Sequence, residues 1–590
     1  MWSELSGEDF APIDLQFGRL LERLDGGCQA VRVAATYASR ALREGHSCLD
    51  LRALAATGDT GESWLQTLRT SPLVGAPGDW KPLILDADDR LYLYRYWAYE
   101  QRVAEAVLAR ARPADGVDER RLAAQLRDLF GPAEPERVNW QKVAAATAVL
   151  RQFAVISGGP GTGKTYTVVR ILALLVGQNP QRPPAIALAA PTGKAAARMQ
   201  EAIRFAKQSL PVDDATRAAI PEQAGTLHRL LGVRPNSTRF RHDRDNPLPV
   251  DVLVVDEASM VDLALMAKLM DALPPRARLI LLGDRDQLSS VEAGSVLGDI
   301  CAGEAGYSAP FAERLAALSG ERVPAAPGPV PAVADAIVYL RESRRFRGDG
   351  GIGRLAQLIN DGRAGEALGL LQSDDPELSW RSLTGPALAR ELPAAVVHGY
   401  RAYLEAMAEG VDAERVFASF NAFRVLCAHR TGPAGVDTLN QQIEAALAAA
   451  RLISPRGPWY AGRPVMITEN DYNLRLFNGD IGLVLPDTEG LRVCFPQVDG
   501  SIRRLHPARL PAHETVYAMT VHKTQGSEFE RVLLVLPDED SRVLNRKLLY
   551  TGVTRAKVQV AIWGRDSVFR RGVQTDAQRG SGLAARLWRA

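Results

Sequence analysis

Cysteine is scarce in this sequence: there are five in 590 residues, at positions 28, 48, 301, 427 and 494, with no C-x-x-C pair. An odd, scattered set supports neither a disulfide framework nor a zinc site, and it fits a reducing compartment. Net charge is almost absent as well. The 71 basic and 69 acidic residues leave +2, so any contact with nucleic acid must come from local patches rather than bulk attraction. No apolar run approaches the ~20 residues that a bilayer-spanning helix needs. Met1-Trp2-Ser3-Glu4 opens without the basic and apolar stretches of an export signal, so a cytoplasmic protein with no membrane contact is expected. What is present is ordinary globular material, 46% hydrophobic and 24% charged. The length exceeds what one hydrophobic core can organise, and about three or four domains are expected.

One stretch carries most of the chemistry: Ser157-Gly158-Gly159-Pro160-Gly161-Thr162-Gly163-Lys164-Thr165. It follows the apolar run Phe153–Ile156 and precedes a helical pattern from about Tyr166 to Leu175. Strand, glycine loop and helix together are the setting of a phosphate-binding loop. The glycines let successive N–H groups converge on one anion, and the helix adds its positive N-terminal end. Lys164 is placed to reach the β- and γ-phosphates, and Thr165 to put its hydroxyl on Mg²⁺. A glycine-rich turn with an incidental Lys-Thr would not explain the flanking strand and helix.

Around this loop the chain reads as several units. Residues 1–110 look largely helical, with a short strand at Leu91–Tyr94 and dense aromatics at Tyr92, Tyr94, Tyr96, Trp97 and Tyr99. Those aromatics form either a small core or a docking surface. Arg112–Gly116 reads as a linker. Residues 117–335 form an α/β unit. Its apolar runs at 186–189, 252–255 and 279–282 each end in a polar cluster, where an open parallel sheet binds its ligand. Arg234–Pro249 interrupts this unit as a solvated loop or a small hairpin that touches nucleic acid. Beyond the proline-rich 323–331, residues 336–590 form a second α/β unit. It carries an all-β insertion near 456–512, expected to be barrel-like and SH3-like.

The strand ends supply acidic partners for the loop. Asp256 is placed to hold the Mg²⁺ shell, and Glu257 beside it to orient and deprotonate a water. Gln287, in Gly283-Asp284-Arg285-Asp286-Gln287-Leu288, is placed to sense a γ-phosphate.

With Ala190-Pro191-Thr192-Gly193-Lys194 and Thr226-Leu227-His228-Arg229, these segments come in the order of the superfamily 1 helicase motifs. The second unit continues the series. Ser343-Arg344-Arg345-Phe346 resembles motif IV, Val521–Phe529 motif V and Leu549–Lys557 motif VI. The motif series spans residues 141–557, and Asn478–Gly482, Arg430–Pro433 and the aromatic Leu91–Glu100 resemble the RecD branch of these helicases, the alpha subunits of exodeoxyribonuclease V. The resemblance implies two RecA-like domains. It makes Gln141 a hydrogen-bonding partner of adenine, and gives ATP contacts to Gly158, Gly159, Pro160, Gly161, Thr162, Gly163, Lys164, Thr165, Gly526 and Glu528. Arg345 and Arg555 become arginine fingers; Tyr is common before the motif IV arginine, and Arg344 stands there instead. Thr192, Lys194, Thr226, His228 and His522 resemble the residues that contact the DNA strand. Each histidine taken singly is as readily an ordinary polar or core residue.

The implied activity is ATP-driven 5′→3′ unwinding by the motor subunit of a RecBCD-type helicase-nuclease, active in double-strand break repair, recombination and degradation of linear DNA. RecB-like and RecC-like chains would complete the heterotrimer. No nuclease signature is apparent, so nuclease chemistry belongs to a partner, and nothing marks a relaxase. Stand-alone RecD-like helicases usually carry a longer N-terminal region than this one. A nucleotide-gated assembly subunit without motor activity is disfavoured, because Lys164, Glu257, Gln287, Arg345 and Arg555 are all present.

Overall fold

The structure, a computed structural model, describes residues 10–56, 62–134, 136–234, 237–303, 306–343, 350–383, 385–471, 473–497, 500–576 and 579–589. Two parallel sheets dominate it. Among the described residues the first has six strands, in the order Ile337–Leu340, Phe153–Gly158, Arg278–Gly283, Val252–Val255, Ile186–Ala190 and Ala224–Thr226. Every neighbouring pair is parallel. Such strands are covered on both faces, which is why 153–156 and 252–255 are unbroken apolar runs. The helices Trp140–Leu150 and Lys164–Gln178 build the core on one face, and Leu263–Ala272 with Tyr94–Arg110 the core on the other. Because all six strands run the same way, their carboxyl ends share one rim.

The second sheet has five strands, in the order Leu378–Ser382, Ala556–Gly564, Phe529–Val535, Phe423–Cys427 and Ala518–Thr520, again all parallel. The two α/β units expected from the sequence are therefore present, but their boundary differs. Ile337–Leu340, assigned from the sequence to the second unit, pairs with Val155–Gly158 in the first sheet. Asp335 pins this return: it pairs with Arg151 and accepts from Ser308 N and Oγ, each at 2.7 Å. The crossing to the second unit thus lies beyond Leu340, and the proline-rich segment before it is a loop of the first unit.

The first hundred residues hold the strand expected near Leu91–Tyr94, at Arg90–Leu93, and three more besides. Four short strands, Leu49–Asp50, Arg90–Leu93, Leu83–Leu85 and Val74–Gly75, form a small sheet beside the helices Pro12–Leu24 and Gln29–Arg43. The other three, of two or three residues, carry too little periodicity to be read from sequence. Tyr92 and Trp97 pack inside with Cys48 and Ile84, so these two aromatics are core. The helix Tyr94–Arg110 instead buries Val103, Ala104 and Val107 against the first large sheet's helices. It belongs structurally with that sheet.

The all-β insertion is present and reaches Thr515. Its five antiparallel strands run in the order Ile502–Leu505, Gly490–Pro496, Ile481–Asp487, Pro464–Ile467 and His513–Thr515. Among the described residues the first and last of these stand at opposite edges with no ladder between them, so the pairing does not confirm an SH3-like barrel.

The chain end returns to the beginning. Residues 579–589 leave the second unit and lie across the first. Leu583 and Leu587 enter the first unit's core at 0% and 1% exposure. Gly580 O accepts from Ser47 N at 2.9 Å, and Arg579 donates to the carbonyls of Ser290, Glu292 and Gly294. Buried Glu100 gathers Ser47 Oγ at 2.6 Å, Ser581 Oγ at 3.0 Å and Gly582 N at 3.2 Å. If this tail is core, Leu583→Ala and Leu587→Ala should each destabilise the chain by about 2–4 kcal/mol. Denaturant unfolding would read that loss; a frayed tail would give none.

Candidate active site

The phosphate loop, Asp256-Glu257 and Gln287 sit where strands of the first sheet end. Beyond Gly158 the chain turns through Gly161 and Gly163, whose φ values of +78° and +85° lie in the left-handed region that glycine tolerates. Gly163 caps the helix Lys164–Gln178. The loop braces itself: Thr162 Oγ1 donates to Gly159 O at 2.8 Å, and Lys164 Nζ to Gly158 O at 2.6 Å and Gly159 O at 3.1 Å. Buried Gln141 donates from Nε2 to Thr162 O at 2.9 Å, so it holds the loop as well as facing the adjoining cleft. That cleft, of about 470 Å³, is lined by Phe130, Trp140, Gln141 and Arg341, whose guanidinium lies 5.3 Å from the Trp140 ring. Flat aromatic and guanidinium surfaces beside a phosphate loop suit a purine base.

Asp256 and Glu257 follow the strand Val252–Val255. Asp256 Oδ1 accepts from Glu257 N at 2.8 Å. Burial, and then the Glu257 charge, raise the Asp256 pKa, while the Lys164 charge opposes them. Glu257 itself adopts φ +51°, ψ +41°. That left-handed conformation is uncommon for a side-chain-bearing residue and is typical of strained functional positions.

The second unit closes onto this rim. Arg555, 3% exposed, donates from Nη2 to Gln287 Oε1 at 2.7 Å and from Nη1 to Ser527 O at 3.1 Å. Burial lowers its pKa, opposed first by the Glu257 charge and then by that of Glu528. Leu288 N donates to Thr551 Oγ1 at 2.9 Å, and Gln525 Nε2 to Leu288 O at 2.7 Å. Ser343 Oγ reaches Pro160 O at 3.0 Å. Arg344 and Arg345 lie outside the described residues, so the motif IV finger has no placement here.

Gly526 and Glu528 touch the helix Gly193–Gln208. Arg198 on that helix donates to Gly526 O and lies 3.4 Å from Glu528, which also lies 3.4 Å from Lys557. Arg198 is absent from the sequence reading; one arginine on an amphipathic helix gives no signal that it bridges two units. Tyr550 and Asp284, bonded across the seam at 2.9 Å, lie inside segments the sequence marks as motifs but carry no assigned role there.

The residues expected to touch DNA gather at the outer strands of the same rim. Thr192 and Thr226 cap their helices by accepting from Ala195 N and Arg229 N. Half-buried Lys194 has its pKa pushed down to about 7 by burial and then by the Arg198 charge, with Asp480 of the β insertion opposing. His228 is exposed and edge-on to Phe240, ring centroids 5.8 Å apart. His522 stands on the second unit, in the turn Val521–Thr524.

Known proteins resemble this chain along nearly its whole length. The family described as RecBCD enzyme subunit RecD, N-terminal domain matches residues 8–92. An AAA domain family matches 141–293, and a UvrD-like helicase C-terminal domain family 515–563. The RecBCD enzyme subunit RecD of Mycolicibacterium smegmatis is 40% identical, covering 99% of this chain and 98% of that one. That of Haemophilus influenzae is 41% identical over 84% and 80% of the two chains. The ATP-dependent RecD2 DNA helicase of Deinococcus radiodurans is 31% identical over 80% of this chain but only 54% of its own.

The strain at Glu257 is measurable apart from activity. Glu257→Gly relieves the left-handed backbone and should exceed Glu257→Ala in stability by about 1 kcal/mol, the size of the left-handed penalty. Equal thermal or denaturant stability of the two variants would remove the strain argument.

Proposed function

The chain belongs to the RecD family, and from that membership we propose how it works as an ATP-dependent DNA helicase, the motor subunit of a RecBCD-type enzyme. The observation that carries the reading is the Arg555–Gln287 contact, 2.7 Å across the seam between the two parallel-sheet units. ATP bound on the loop would have its β- and γ-phosphates held by Lys164 and the loop amides, with its base in the cleft beside Trp140 and Gln141. Glu257 takes a proton from the attacking water, Gln287 senses the γ-phosphate, and Arg555, with Arg345, stabilises the charge of the transferring phosphoryl group.

The donor set Thr165 hydroxyl and Asp256 carboxylate is all oxygen, and the raised proton affinity of Asp256 is what a divalent cation would relieve. Mg²⁺, which usually takes one or two carboxylates together with phosphate oxygens, would be held there and would neutralise phosphate charge. Because the nucleotide lies between the units, its binding draws them together and its hydrolysis lets them part. A strand held by Thr192, Lys194, Thr226 and His228 on one unit and His522 on the other is then moved in steps, 5′→3′, through contacts that do not depend on base sequence.

RecB-like and RecC-like chains are the proposed partners, in the cytoplasm; no helix of the described residues is long and apolar enough to cross a membrane. The first hundred residues supply the docking surface. With Tyr92 and Trp97 in the core, the exposed apolar stripe lies instead on the helix Pro12–Leu24, where Ile13, Leu20 and Leu24 are 63%, 44% and 61% exposed. Such a stripe marks a protein contact. Ile13→Asp with Leu24→Asp in the full chain should abolish co-purification with the partner chains and leave DNA-stimulated ATP hydrolysis intact. Retained assembly would move the docking site elsewhere.

For the chemistry, Glu257→Gln should bind an ATP analogue like the parent chain and lose at least ~100-fold in turnover. Lys164→Gln should lose hydrolysis too. Unwinding of a 5′-tailed duplex in preference to a 3′-tailed one checks the polarity. A Glu257→Gln variant that hydrolyses ATP at the parent rate would refute the assignment of the base.

A further inference from the structure

Tyr550 has no part in the phosphate chemistry described so far. It lies on the helix Arg546–Val553, 6% exposed, and its hydroxyl donates to Asp284 Oδ2 at 2.9 Å. The same oxygen accepts from Gln287 Nε2 at 3.0 Å, and Asp284 Oδ1 accepts from Asp286 N at 3.0 Å. Gln287 Oε1 in turn accepts from Arg555 Nη2 at 2.7 Å. Asp284, Gln287 and Arg555 are only 2%, 4% and 3% exposed, so water does not compete for these bonds.

The polarity of this chain is fixed by chemistry. A guanidinium only donates and an ionised carboxylate only accepts. The Gln287 carboxamide must therefore turn its nitrogen to Asp284 and its oxygen to Arg555. Three donors converge on Asp284, and the Tyr550 hydroxyl is one of them. The route leaves the second unit at Tyr550, crosses to Asp284 and Gln287, and returns at Arg555, one helical end further along the same segment. The hydroxyl also borders the phosphate loop: a Cβ built on Gly159 would stand 2.8 Å from it.

We propose that Tyr550 is a positioning residue for ATP hydrolysis, which anchors Asp284 and thereby fixes the Gln287 carboxamide and the Arg555 guanidinium at the γ-phosphate. This rests on the reading of Gln287 as sensor and Arg555 as finger. Removing the hydroxyl leaves a buried carboxylate one donor short and frees it to turn, and the carboxamide loses its fixed anchor. Neither the base cleft nor the loop amides change. The loss therefore falls on turnover and not on nucleotide binding.

The test uses full-length Tyr550→Phe, Asp284→Asn and the double variant, with ATP hydrolysis measured at saturating single-stranded DNA. Tyr550→Phe should lower kcat by about 10-fold or more with KM for ATP within about two-fold, the signature of an interaction made only in the transition state. An amide at position 284 sets a donor against one of its three donors, so Asp284→Asn should show the same split. The double variant should be no slower than the slower single one, because both act through one link. An unchanged kcat in Tyr550→Phe, or losses that multiply in the double variant, would overturn the inference. If Tyr550→Phe fails to fold, Asp284→Asn decides alone: a kcat loss at constant KM supports the link, and an unchanged kcat overturns it. A parent chain with no DNA-stimulated hydrolysis would instead overturn the functional reading and this inference with it.

Discussion

A guanidinium removed from water must be paired, and the pairing of Arg555 spans two units. Two of its partners, Thr551 O and Ser527 O, lie on its own unit, and the third, Gln287 Oε1, lies on the other. Leaving such a charge buried without its partner costs several kcal/mol, of the order of 3–5. The seam is therefore favourable only when the second sheet's helix end sits directly over the strand ends of the first. The rest of the architecture serves that placement. Parallel strands put Lys164, Asp256 and Gln287 on one rim, and the second sheet presents Ser527 and Arg555 to it. In the proposed mechanism, hydrolysis at the phosphates acts first on contacts that hold the units together.

The units are also tied away from the seam. The chain crosses from the first to the second beyond Leu340 and comes back through the tail, where Leu583 and Leu587 enter the first unit's core. Glu100 collects serine hydroxyls from both ends of the chain, Ser47 and Ser581. The small N-terminal sheet, the first unit and the tail thus share one junction. Lys194 facing Asp480 places the insertion next to the proposed DNA path.

Much of this was legible in the sequence. The phosphate loop, Asp256-Glu257 and Gln287 each follow an apolar run, and a parallel sheet forces such runs to end on one edge. The two α/β units and the all-β insertion followed from the same periodicities. What was hidden depends on tertiary contact. The strand Ile337–Leu340 follows a proline-rich segment that reads as a linker, and only pairing with Val155–Gly158 assigns it to the first sheet. Three of the four N-terminal strands, Leu49–Asp50, Val74–Gly75 and Leu83–Leu85, are too short to show alternation. Tyr92 and Trp97 gave no sign of which way they face, and they face inward. Arg198, Tyr550 and Asp284 act across the seam, and local pattern marks the segments of the last two without showing that they meet.

The central claim is that the nucleotide acts through the seam, and hydrogen exchange of the full chain on single-stranded DNA tests it most directly. Leu288 N donates to Thr551 Oγ1 of the other unit, so its protection reports the closed seam. On passing from a non-hydrolysable ATP analogue to ADP, protection should fall together at residues 284–288, 524–528 and 550–555. If the two nucleotide states differ only at residues 157–166, with the seam segments unchanged, hydrolysis does not work through the contact of the two units and the account is wrong.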